Sequence, residues 1–143
     1  MELNKWNVRE FTLTDDEGSV AYISYRPITQ GWRARHLEVS LRLQRAMGRV
    51  TSGAALVEDP ESLSETQIEE LVETNSEAMR ALIEFQREML LDLVVGSREL
   101  TVEGKSPTVE ELVDALVVLE TPAADLVKHI VEEGSISDEE GKS

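Results

Sequence analysis

The triplet Gly-Lys-Ser occurs twice, at Gly104-Lys105-Ser106 and Gly141-Lys142-Ser143. A phosphate-cradling P-loop needs a further glycine five residues before the one that precedes the lysine. Glu99 and Ile136 stand at those positions, so neither triplet carries that chemistry. Asp15-Asp16-Glu17-Gly18 gathers carboxylates but lacks the spaced oxygen ligands and terminal glutamate of a calcium loop, and reads as a hairpin turn. His36 and His129 belong to no H-x-x-x-H or H-E-x-x-H arrangement and read as helix-surface or helix-end residues. There is no cysteine for a thiolate metal site or nucleophile, and no G-x-S-x-G elbow. Neighbouring pairs such as Glu69-Glu70 and Glu110-Glu111 point in different directions from a helix, as solvated faces do and an acid–base pair does not. No catalytic residue, metal or cofactor is expected, and the chain reads as no enzyme.

One charged pattern survives this search. Arg42, Arg45 and Arg49 fall at i, i+3 and i+7 on one helix face, with Arg35 seven residues before Arg42. Such a row could contact phosphates, pair with acidic helices of the same or a neighbouring chain, or simply be solvated. The charge distribution favours pairing. Residues 1–57 hold eight Lys/Arg and six Asp/Glu, whereas residues 58–143 hold six against 23, a net −17 within a total of −15. A nucleic-acid site normally sits on a net basic domain. Neither nucleic acid nor membrane is an expected partner, and no apolar run approaches the ~20 residues of a membrane span. The opening residues lack a signal-peptide pattern, so a soluble intracellular protein is expected.

These residues need a scaffold, and 143 residues suffice for one domain, read over 1–134, followed by an acidic flexible tail over 135–143. Aromatics are scarce at 4%, so the core must be aliphatic. Residues 6–26 read as a β-hairpin: Trp6–Leu13 and Val20–Arg26 flank a turn cluster, and Ala21, Ile23 and Tyr25 form the more apolar face. A lone hairpin is marginal in water, so this one must lie on helices or pair with another chain. A helix is expected over about 30–50, and a long one over 64–95. The long helix opens with a Ser64/Gln67 capping box inside a Leu63/Ile68 hydrophobic staple. Its apolar stripe includes Ile68, Leu71, Val72, Met79, Leu82, Met89, Leu90 and Leu93, with Asn75 and Gln86 near the middle. A second box at Thr74/Glu77 leaves open a break near Asn75, though an unbroken helix is favoured. Gly96-Ser97 reads as its stop, and Arg98–Glu103 as an extended linker or edge strand. Thr108/Glu111 caps a helix over 109–120. Pro122 starts another over 122–133, with Lys128 and His129 near its end and Gly134 beyond it. The fold class is thus mainly α, an N-terminal hairpin followed by a bundle of four or five helices around one long central helix.

The order of these elements, and the text Gly104-Lys105-Ser106-Pro107-Thr108-Val109-Glu110-Glu111-Leu112, Leu126–Glu133 and Ile136-Ser137-Asp138-Glu139-Glu140, resembles the tail assembly chaperones of long-tailed bacteriophages. Tyr25-Arg26-Pro27-Ile28-Thr29 is similar to the stretch that leaves that family's hairpin. The resemblance implies a non-catalytic protein of the host cell cytoplasm. It would coat and solubilise the helical tape-measure protein, recruit subunits of the major tail protein, and be absent from the finished virion. The family has no catalytic residues to carry over. An acidic exterior with an arginine row also suits head-to-tail self-association, so a homo-oligomer is expected.

Two other classes stay open: a virion head–tail connector or adaptor, and an acidic inhibitor that mimics DNA. The possible protein-interaction surface comprises Arg35, Arg42, Arg45, Arg49, Asn75 and Gln86. Part of the long stripe is expected to pack on the 112–119 and 126–131 helices, with the rest lining a groove. Leu82→Asp should then lower the thermal midpoint sharply, whereas changes at Gln86 should affect association. An unchanged midpoint for Leu82→Asp, read by circular dichroism, would reject this core face.

Overall fold

The computed structural model describes residues 8–55 and 60–141. Along them run β1 (Arg9–Thr14), β2 (Val20–Tyr25), α1 (Gln30–Arg35), α2 (Leu37–Ala55), a 3₁₀ turn (Pro60–Ser62), α3 (Glu65–Leu93), β3 (Val94–Arg98), α4 (Val109–Val118) and α5 (Thr121–Gly141). The fold is mainly α, with one three-stranded antiparallel sheet, order β1-β2-β3, among the described residues. The chain divides into two compact units where the sequence suggested one: residues 1–34 with 86–143, and residues 35–85. Trp6 and Asn7, expected in the first strand, and Val57, Glu58 and Asp59 lie outside the described residues.

The unit built from 1–34 and 86–143 has the closed core. Hairpin register sets Phe11 opposite Ile23 and Arg9 opposite Tyr25. Because facing residues of antiparallel strands share a face, Ile23 and Tyr25 point inward with Phe11, while Tyr22 and Ser24 point outward. The strand that completes the sheet was misplaced in the sequence reading. α3 ends at Leu93, and β3 begins at Val94, so Gly96 lies within a strand and stops no helix. Two features turn the chain there. Arg26 donates from its backbone N–H to the Leu93 carbonyl (2.8 Å) and from its guanidinium to the Asp92 carbonyl (3.1 Å), occupying helix-end acceptors. Val94 and Val95 are β-branched, and Val94 takes its place opposite Tyr25 across an irregularity at Ser24/Tyr25. Across the outer face, Arg98 of β3 grips Glu10 of β1 with two hydrogen bonds (3.1 and 2.8 Å) while its guanidinium lies 3.9 Å above the Tyr22 ring.

Helices α4 and α5 close the inner side with Leu112, Val113, Leu116, Ala123, Leu126 and Ile130, all buried. Thr108 and Glu111 form the expected capping box. Glu120, at a φ of 63°, makes the corner between the two helices in a conformation that glycine would hold at less cost. Helix α5 continues through Gly141, so Gly134 is an interior residue and no cap. Lys128 and His129 accordingly lie mid-helix, and residues 135–141 extend the helix in place of the tail that was expected. A glycine costs about 1 kcal/mol inside a helix but does not end it without help, and no proline follows.

α5 is tied to the sheet through Glu133. The buried Tyr25 hydroxyl donates to its carboxylate, Arg9 pairs with it at 3.2 Å, and His129 Nε2 lies 3.4 Å away. Partial burial alone would raise the Glu133 pKa; hydrogen bonds from Tyr25 and Arg9 outweigh it and hold the carboxyl below its usual value. The Tyr25 phenol is pushed up by burial and by Glu133. A depressed carboxyl stabilises the fold above its unfolded value and loses that contribution as pH falls through the folded one. Acidification from about pH 7 to about pH 3 should therefore lower the thermal midpoint, and Glu133→Gln should flatten part of that slope. Parallel melting profiles for the two proteins would show that the clasp contributes nothing.

Candidate functional site

The unit formed by residues 35–85 is an antiparallel hairpin of α2 and the first two-thirds of α3. Its two helices are stitched along one edge. Arg42 pairs with Glu84 (2.9 Å) and with Glu38 (2.7 Å), and Arg49, seven residues on, pairs with Glu77 (3.1 Å), seven residues back. Gly53 comes up against Leu71 further along the same antiparallel alignment. Ala46 and Ala78 are small buried residues of this unit. Arg42 and Arg49 of the row thus serve the acidic face of their own hairpin, in exposed pairs that solvent screens. Arg42, Arg45 and Arg49 line a cleft of about 330 Å³ with Glu77, Arg80 and Glu84. Arg35 does not belong to the row: it ends α1, and the helical run is interrupted at His36 before α2 starts. Helix α2 also outlasts its expected end near Val50, reaching Ala55, with the Thr51 hydroxyl folded back on the Met47 carbonyl at 3.1 Å.

Helix α3 is unbroken. Ser64 and Gln67 form the expected box, 2.9 and 3.2 Å in its two bonds. The competing start at Thr74 goes unused because the Thr74 hydroxyl donates to the Glu70 carbonyl one turn back, as Ser76 does to Val72. Ile68, Val72, Asn75, Met79, Leu82, Gln86, Met89 and Leu93 follow one another at alternating intervals of four and three residues. That is the seam of a heptad pattern.

Burial changes abruptly along this seam. Met89, Leu90 and Leu93 are at most 4% exposed, within the closed unit. In the 35–85 unit, Ile68, Val72, Met79 and Ile83 are 46, 59, 51 and 41% exposed. Leu82 is half-buried. Met47, on the edge of α2 away from Arg42 and Arg49, is also exposed, as are Leu37 and Leu41 on the outer side of α2. Against these seven large apolar side chains the described residues of this unit bury only Val39, Ala46 and Ala78. Asn75 is exposed as expected, in a groove of about 530 Å³ lined by Val72, Asn75, Ser76, Met79 and Arg80. Gln86 is not on this surface. It is 8% exposed and belongs to the closed unit, because the covered part of the seam starts at its position. Sequence reasoning missed Met47 and Ile83 as surface residues. The four-three spacing was the available signal for the seam, whereas nothing in sequence links Tyr25 to Glu133, 108 residues away.

Among the described residues no three His, Cys, Asp or Glu side chains converge as a metal site, and no helix is long and apolar enough to cross a membrane. Compared with protein-family models, curated proteins and solved structures, the chain matches none.

The burial of Ala78, only 6% exposed, gives a direct test of the hairpin. Ala78→Leu should cost about 1–3 kcal/mol by overpacking. Arg45→Ala, at an exposed position with no ion pair to another described residue, should stay within about 0.5 kcal/mol. Urea denaturation of both variants measures the contrast, and equal midpoints would contradict the packing.

Proposed function

We propose that this chain is a non-enzymatic assembly chaperone of the phage-tail kind. It binds the long helical tape-measure protein, keeps it soluble in the host cytoplasm, recruits major tail protein subunits, and self-associates. The observation that carries this reading is the uncovered apolar seam of residues 68–83 on a hairpin that is otherwise strongly charged. Contiguous apolar surface of this kind marks a protein-binding site, and an amphipathic helix is the ligand such a seam accommodates by its own periodicity. The charged remainder prevents the carrier itself from precipitating. The resemblance in element order and in the Gly104–Leu112 text points the same way.

Co-expression with the tape-measure protein of the same phage is the test. The soluble fraction of that protein should rise severalfold, and the chain should be missing from purified virions by mass spectrometry. An unchanged soluble fraction would overturn the proposal. Recovery of the chain from virions would favour a connector or adaptor role instead.

A further inference from the structure

The seam can be matched to a partner by its charge. From Val50 to Met79 the sequence has no Lys or Arg, while the first half of α3 carries Glu65, Glu69, Glu70, Glu73 and Glu77. Glu69 and Glu73 stand along one flank of Ile68, Val72 and Met79, and Arg80, one heptad after Glu73, is the lone cation among the groove's lining residues. Within the Ile68–Ile83 segment Glu69, Glu70, Glu73 and Glu77 stand against the single cation Arg80, so the strip's border is net acidic. Laying a second α3 parallel and in register would set Glu69 and Glu73 beside their own copies, which coiled-coil pairing disfavours. A helix whose own apolar strip is bordered by Lys or Arg meets both requirements.

We infer that the Ile68–Ile83 segment of α3 is the docking site for a basic amphipathic helix of the client protein, with apolar residues at alternating three- and four-residue intervals. This rests on the chaperone reading, to which it adds the client's chemistry and the place where it is held. Val72 and Met79 form the floor, Ile68 and Ile83 the two ends, and Asn75 faces the ligand midway. A polar residue within such a seam sets the register of the helix it meets. The glutamate flank then fixes which helices are accepted.

The probe is a synthetic helix of about four heptads with Leu at the seam positions and Lys beside them, compared with a twin carrying Glu in place of Lys. Fluorescence anisotropy against the full chain should show saturable binding of the lysine peptide, weakened by added salt, and none of the glutamate twin. Val72→Asp/Met79→Asp, at exposed positions, should leave the thermal midpoint in place and weaken binding at least about tenfold. Glu69→Lys/Glu73→Lys should transfer preference to the glutamate peptide. Three results would overturn the inference: equal binding of both peptides, no binding of either, or full binding by a folded Val72→Asp/Met79→Asp protein. A dimer in sedimentation that this double variant dissolves would overturn it too, by making a second copy the occupant. If the double variant still solubilises the client on co-expression, the docking site is wrong and the chaperone reading stands. If the wild-type chain fails there, the chaperone reading falls irrespective of the peptides.

Discussion

Helix α3 carries one apolar seam over its length, and among the described residues only the last part of it is covered. The free energy of burying aliphatic side chains scales with the area removed from water, at roughly 25 cal/mol per Å². Met89, Leu90 and Leu93 realise that gain within the fold, and Ile68, Val72 and Met79 leave most of it unrealised. A sequence that keeps a four-three apolar rhythm through residues held at the surface preserves a reservoir of binding energy. Everything proposed about function follows from that imbalance.

The two compact units differ in what holds them. In the unit of residues 1–34 and 86–143, Ile23 and Tyr25 on the middle strand are fully buried, as are Leu112, Leu126 and Ile130 of the helices. The polar tip of Tyr25 is satisfied by a carboxylate on α5, so a large aromatic is buried with its hydroxyl paired. Among its described residues the 35–85 unit has no comparable residue. A glycine contact and exposed ion pairs link α2 to α3, interactions that set alignment more than they supply stability.

Local chemistry in the sequence was a good guide wherever a few neighbouring residues decide the outcome. Two of the three capping boxes, at Ser64/Gln67 and Thr108/Glu111, form with the bonds their spacing implies, and the one at Thr74/Glu77 lies unused inside α3. The alternation in Val20–Tyr25 identified the inward face of the sheet, and the apolar period identified α3. Elements fixed by distant partners were not legible. Val94–Arg98 becomes a strand because β2 offers an edge and Arg26 takes the helix-end carbonyls, contacts spanning some seventy positions. Gly134 looked like a terminator, yet lies where α5 passes Ile28 and Arg33. The candidate site divides in the same way. The arginine row was visible in its spacing, and its partners Glu77 and Glu84 were not. A stripe shows that a helix has an apolar face without showing what covers it, so Asn75 and Gln86, eleven residues apart on the same stripe, were read alike although one is exposed and the other buried.

The strand order also dictates a sequence of events during synthesis. β1 and β2 adjoin through a short turn and can pair as soon as both exist, but β3 is separated from β2 by the entire α2–α3 hairpin. Closing so long a loop costs entropy that grows slowly with length, yet contacts of this range slow the search for the native arrangement. The early hairpin must wait for Val94 before its second edge is occupied and for α4 and α5 before its inner face is dry. Meanwhile the acidic helical hairpin, whose contacts run between adjacent segments, is complete earlier. A nascent chain would thus display the exposed apolar seam of residues 68–83 before the 1–34 and 86–143 unit has formed.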